Sequence, residues 1–142
     1  MDRLWRLPTS PDHHQTFPYS MNWIGAIAVF IGGGLGSVLR YGISAIFQNY
    51  DVQTMVWSTL TSNVLASALL GWVVFKLAPQ SFSPLYFFLA IGFCGGFSTF
   101  STFSLETMHL IKGGQIGLAI FNVLASVFIC IVLLLFLSKL LK

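Results

Sequence analysis

Charged residues are scarce in this chain. Seven Lys and Arg with four Asp and Glu make up 8% of 142 residues, where an ordinary soluble domain carries about 25%. With 56% apolar residues and a mean hydropathy of +0.82, that shortage excludes a water-soluble globular domain and points to a membrane protein. The basic residues behind the net charge of +3 are scattered, so no run of the kind that holds nucleic acid or forms a polybasic lipid site is present. Cysteine is equally sparse. Cys94 and Cys130 stand apart without CxxC spacing and read as small apolar residues, neither metal ligands nor a disulfide. No acidic residue sits within the apolar stretches: Asp51 falls in a predicted loop and Glu106 near the end of the third helix. That argues against a proton-coupled carrier, which needs a buried carboxylate, and favours a passive pore.

The charges punctuate uncharged stretches at 13–39, 52–75, 77–105 and 113–138, each long enough for the roughly 20 residues that cross the hydrocarbon. Four transmembrane helices are predicted in an all-α fold, over about 22–47, 54–77, 85–110 and 115–140. What is left is too short for a soluble catalytic domain, and no nucleophile, base and orienting group converge, so an enzyme is not expected. The chain divides into a mobile N-terminal tail, residues 1–21, and a four-helix transmembrane domain, residues 22–140. The tail has no apolar core ahead of a small-residue cleavage site and is no secretory signal; Met21 is a second candidate start. His13 and His14 are neighbours without further ligands and make no metal site. An even number of crossings puts Arg3, Arg6, Lys76, Lys139 and Lys142 on one side against Lys112 and Arg40 on the other. Without the tail arginines the bias is weak, so insertion in both orientations is expected.

Within the helices, polar and small residues recur every four positions and share a face. Helix one carries Gly32, Gly36 and Arg40, a packing face ending in an arginine about 27 Å along the axis from Asn22, near the far interface. That arginine reads equally as a snorkelling side chain or as part of a vestibule that attracts anions. Helix two carries Thr59, Asn63, Ser67 and Gly71; helix four carries Asn122, Ser126 and Cys130. Facing each other, these two stripes would line a narrow polar path.

The third helix is the oddest. In "GGFSTFSTFSLE" (95–106) the hydroxyls Ser98, Thr99, Ser101, Thr102 and Ser104 alternate with Phe97, Phe100 and Phe103, and hydrocarbon tolerates hydroxyls only where something satisfies or uses them. The preceding Gly95-Gly96 is a poor helix former. A helix broken near its middle would leave backbone carbonyls for an ion.

On "GGGLGSVLRYG" (32–42), "NVLASALLG" (63–71) and "GFCGGFSTFSTFSLE" (92–106), the chain resembles the CrcB/Fluc fluoride channels over residues 22–140. It departs from them in having Ser98-Thr99 where Thr-Thr is usual and Asn122 where an aromatic tyrosine is expected. The resemblance implies an antiparallel, dual-topology homodimer in a bacterial plasma or inner membrane, with two fluoride pores that export the ion passively and limit its toxicity. It implies a pore lined by Asn63, Phe100, Phe103, Ser101, Thr102 and Ser126, with Arg40 and Glu106 in a vestibule. It also implies a central structural Na+ at the dimer interface, held by the backbone carbonyls of Gly95 and Ser98. Membrane lipid is the remaining partner. The physics is coherent: a small, strongly hydrated anion needs compact donors in place of water, and aromatic ring edges carry the positive end of the quadrupole. The competing readings are a small proton-coupled multidrug-type transporter, which would need a glutamate in helix one, and a non-transporting membrane assembly subunit.

Overall fold

A computed structural model describes residues 23–47, 52–77 and 83–141. The predicted tail over 1–21, with His13, His14 and Met21, lies outside them, as do 48–51 and 78–82 of two predicted loops. Helix α1 is Trp23–Ile46 and α2 is Val52–Leu77. Helix α3, residues 84–97, joins an α-turn Pro84–Tyr86, a π-helical segment Phe87–Phe93 and an α-turn Cys94–Phe97. Helix α4 is Phe100–Lys112 and α5 is Ile116–Leu140. Four stretches are long and apolar enough to cross a membrane: Trp23–Ile46, Thr54–Leu77, Pro84–Lys112 and Ile116–Leu140. The chain is a multi-pass membrane protein, and among the described residues all regular structure is helical.

Local chemistry sets the helix ends. Ser83, in extended conformation, accepts a hydrogen bond from the Tyr86 N–H at 3.1 Å. Pro84 takes the first helical position, where its missing N–H costs nothing. After α4, the N–H groups of Gly113, Gly114 and Gln115 fold back onto the carbonyls of His109, Ile111 and Leu110 at 2.9, 3.1 and 2.8 Å. Gly114 has φ 75°, a left-handed conformation that glycine adopts freely. This tight reversal makes α4 and α5 neighbours.

The α1–α3 seam is built by leaving side chains out. A Cβ on Gly32 would collide with the Phe88 carbonyl, one on Gly36 with the Phe93 carbonyl, and one on Gly96 with the Gly33 carbonyl. One on Gly92 would lie 2.8 Å from the Val29 oxygen. Two small-xxx-small pairs, Gly32/Gly36 and Gly92/Gly96, therefore bring two backbones into direct contact, the main packing device where lipid supplies no hydrophobic drive between helices. The π segment, closed by the Cys94 N–H on the Leu89 carbonyl, inserts a wide turn between the ends of this seam. On the other side Gly71 of α2 admits Leu134 and Leu137 of α5, and Trp57 packs on Phe121 with ring centroids 5.9 Å apart. Val56, Leu110 and Ala119 form the buried apolar cluster between α2, α4 and α5. Large apolar side chains such as Phe30, Ile46, Phe128 and Leu135 point outward, as lipid-facing surfaces require.

Candidate functional site

Ser98 (φ −74°, ψ 157°) and Thr99 (φ −151°, ψ 119°) are extended, so the chain leaves the helix between α3 and α4. Gly95 and Gly96, the weak point by propensity, are themselves helical. The missing side chain of Gly96 is used sideways, at the seam with α1, while the conformational change falls where polar side chains compensate for it.

Asn63 of α2 makes that compensation. Its Oδ1 accepts from the Thr99 N–H at 2.8 Å and its Nδ2 donates to the Thr99 carbonyl at 3.4 Å. In a continuous helix the Thr99 N–H would go to the Gly95 carbonyl; here a side-chain amide takes it. Thr99 Oγ1 then caps α4, accepting from the Thr102 N–H at 3.2 Å and donating to Thr102 Oγ1 at 3.0 Å, as an N-cap threonine should. The Gly96 carbonyl receives Arg40 Nε at 3.3 Å and Ser37 Oγ at 3.4 Å. Among the described residues no hydrogen bond reaches the carbonyl oxygens of Gly95 or Ser98. Gly95 is exposed, with nothing within 4 Å of a Cβ built there.

Beside this interruption runs a groove of about 250 Å³. It is lined by Asn63 and Ser67 from α2, Ser98, Thr99, Phe100 and Phe103 from the third span, and Ser126, Val127 and Cys130 from α5. Asn63 and Ser67 of the α2 stripe and Ser126 and Cys130 of the α5 stripe thus meet across one space, which Phe100 and Phe103 also line. Phe100 is 80% exposed and its ring lies 5.7 Å from that of Phe103 at 39°. Phe97, although it follows the same three-residue spacing as Phe100 and Phe103, lies in the core, 3% exposed, against Phe93 at 5.8 Å.

The remaining predicted residues spread around the groove. Asn63, Phe100, Phe103, Ser126 and Ser98 line it. Ser101 is exposed, 3.4 Å from Thr99 Oγ1, and Thr102 faces Thr99. Arg40 folds against the seam. Glu106, expected near the membrane edge, is instead 6% exposed, accepting from Thr59 Oγ1 at 2.6 Å with Oε2 unpartnered. A carboxyl group is therefore buried inside a membrane-spanning segment, against the sequence reading that none is. The α4 helix continues to Lys112, so Glu106 lies a turn and a half inside it. The reversal at 113–115 then packs α5 over that face. Of the four-residue stripe on α2, Thr59 serves Glu106, Asn63 serves Thr99, and Gly71 serves α5. The pairings with Glu106 and Thr99 were not legible beforehand, because periodicity locates a face without naming what it meets.

A bundle of membrane helices that brings the Asn63 amide and several hydroxyls from three spans to one groove has the construction of a protein that passes or carries a small polar solute. The chain belongs to the CrcB-like (Camphor Resistance) family, whose model matches residues 27–137. Among its relatives, a Thermus thermophilus protein named fluoride-specific ion channel is 40% identical over 104 residues, 72% of this chain and 83% of the relative. One of the same name from Pyrococcus abyssi is 43% identical over 115 residues, covering 80% and 92%. A third, from Leptospira interrogans, is 44% identical over 92 residues, covering 63% and 72%.

Proposed function

We propose that the chain is a fluoride-selective channel that lets the ion leave the cell passively, and that it is not an enzyme. The observation carrying this reading is the groove in which Asn63, Ser126, Phe100 and Phe103 converge, in a chain whose relatives are named fluoride-specific ion channels. Asn63 has two Nδ2 hydrogens, of which Thr99 takes one; the second is the donor offered to an anion. Phe100 and Phe103 supply electropositive ring edges. Ser101 and Thr102 continue the hydroxyl path, and Arg40 marks a vestibule. The multidrug-type carrier is disfavoured because α1 has no glutamate. A non-transporting subunit would move no ion.

The working unit in this reading is an antiparallel homodimer in the bacterial inner membrane, formed across the open face that carries Gly95. The cation fit rests on the carbonyls of Gly95 and Ser98, left without donors beside that exposed glycine. Each orphan carbonyl costs about 1–3 kcal/mol if buried, and main-chain oxygens from two copies suit a hard cation such as Na+. Such an ion would supply positive charge and hold the two interruptions together.

Efflux from liposomes, followed with a fluoride electrode and repeated with chloride, tests the function: fast fluoride with chloride nearly excluded is expected, and equal rates or no flux would refute it. Single-cysteine labelling at Lys112→Cys, in a chain lacking Cys94 and Cys130, tests topology. An impermeant reagent should reach about half the copies from each side of the membrane, and labelling from one side alone excludes dual topology. Ser98→Ala should retain the cation, since its ligand is backbone, whereas Gly95→Val should lose it; replacing Na+ by thallium(I) and reading its anomalous scattering at the dimer centre tests both.

A further inference from the structure

Asn122 of α5 is fully buried, 0% exposed, and lies outside the groove, yet its hydrogen bonds lead to both of the groove's walls. Its Nδ2 donates to Thr107 Oγ1 at 3.0 Å. Thr107 Oγ1, with its lone pair so occupied, directs its hydrogen to the Phe103 carbonyl at 2.8 Å. On the other side Asn122 Oδ1 accepts from Ser126 Oγ at 3.5 Å, a long hydroxyl bond. The chain has one direction: Ser126 hydroxyl to amide oxygen, amide N–H to Thr107, Thr107 hydroxyl to the backbone of Phe103. Reversing Thr107 would set two hydrogens against each other, because an amide NH2 only donates.

We propose that Asn122 is a positioning residue for the permeation groove, holding Phe103 on α4 and Ser126 on α5 in register through this directed hydrogen-bond chain. The inference rests on the fluoride-channel reading and adds a residue to it that never touches the ion. Two consequences follow from this arrangement. Ser126 turns its hydroxyl toward Asn122 over a long 3.5 Å contact, so Asn63 and the α4 hydroxyls are the stronger donors for an anion. Phe103 is held through its carbonyl: a threonine bonded back to the i−4 carbonyl bends a helix locally, and Asn122 fixes that threonine's rotamer.

A merely structural amide and a positioning one differ in a double-mutant cycle. Asn122→Leu strands the Thr107 hydroxyl's acceptor side, and Thr107→Val strands the buried amide. Combining the two removes both partners of the amide–hydroxyl bond, which is often close to neutral for stability, and leaves only the Ser126 hydroxyl to turn to another acceptor such as its own i−4 carbonyl. Each single change should slow fluoride efflux about tenfold, in the range of measured couplings between contacting residues. The double variant should recover its thermal midpoint in detergent while its efflux stays slow and its preference for fluoride over chloride falls. A double variant that regains wild-type stability, efflux and selectivity would reduce Asn122 to packing, as would an Asn122→Leu chain with unchanged efflux. A second readout is independent of permeation. With 4-fluorophenylalanine at position 103 of the full chain, the fluorine resonance should shift in Asn122→Leu and in the double variant. An unmoved resonance overturns the proposal even where efflux changes. Should the wild type pass no fluoride, the channel reading fails while the resonance still decides the role of Asn122.

Discussion

The two faces of the third membrane span solve the problem of polar atoms in hydrocarbon in opposite ways. Toward α1, residues 84–97 use absence: glycines at 32, 36, 92 and 96 let carbonyl oxygens touch opposing Cα atoms. Toward α2 and α5, residues 98–107 use matched pairs: Thr99 with Asn63, Glu106 with Thr59, Thr107 with Asn122. A seam made of backbone tolerates no added atom, because backbone does not move aside. A seam made of side chains tolerates exchange wherever donor and acceptor are kept. The groove opens on the second kind of seam, where chemistry is adjustable, and the first kind lies behind the interruption at 98–99.

The sharpest way to break this contrast is to fill the glycine seam. Gly36→Val or Gly96→Val should abolish recovery of monodisperse protein on size exclusion, well above the 1–3 kcal/mol of ordinary overpacking, since the atom met is a main-chain oxygen. Recovery at wild-type yield would show that the seam is not rigid. Next in size is Asn63→Asp. It keeps the acceptor for the Thr99 N–H and so keeps the fold, but it replaces the free donor by a negative charge. Repulsion of about 4 kcal/mol at 4 Å and an effective dielectric of 20 should cut fluoride efflux at least a hundredfold with assembly unaltered. A variant that assembles and conducts normally removes Asn63 from the pore.

Thr59→Val should lower stability by about 2 kcal/mol by leaving both Glu106 oxygens unpartnered, while Thr59→Ser restores most of it; thermal melts in detergent separate the two. Phe100→Ile and Phe103→Ile should slow efflux several-fold at unchanged stability for the exposed Phe100. Phe97→Ile in the core should instead cost about 1 kcal/mol in stability and spare conduction, and the reverse pattern would mean that Phe97 lines the path. The smallest expected effect sharpens the contrast from below. Gly34→Ala, where an added Cβ meets nothing within 4 Å, should leave subunit stability unchanged, whereas Gly32→Ala one helix face away should not.

Hydropathy and charge spacing by themselves determined the four crossings and their limits to within two residues, because a 30 Å hydrocarbon slab acts on every residue of a span alike. Four-residue spacing likewise determined that α2 and α5 each carry a polar stripe, and the period-three segment marked 95–106 as the unusual stretch. Only the tertiary structure decided where the third span leaves the helix. Propensity points to Gly95-Gly96, but a glycine pair breaks a helix only if nothing offers its neighbours a better arrangement. Here α1 takes up Gly96 as a contact, and the Asn63 amide, arriving from a residue 36 positions earlier in the chain, draws the Thr99 N–H out of the helical ladder. The burial of Glu106 and the bridge from Asn122 to Thr107 have the same origin. A stripe records which side of a helix is polar, whereas the partner of each donor depends on how α4 and α5 rotate about the turn at Gly114, a matter of packing between elements that no local period encodes.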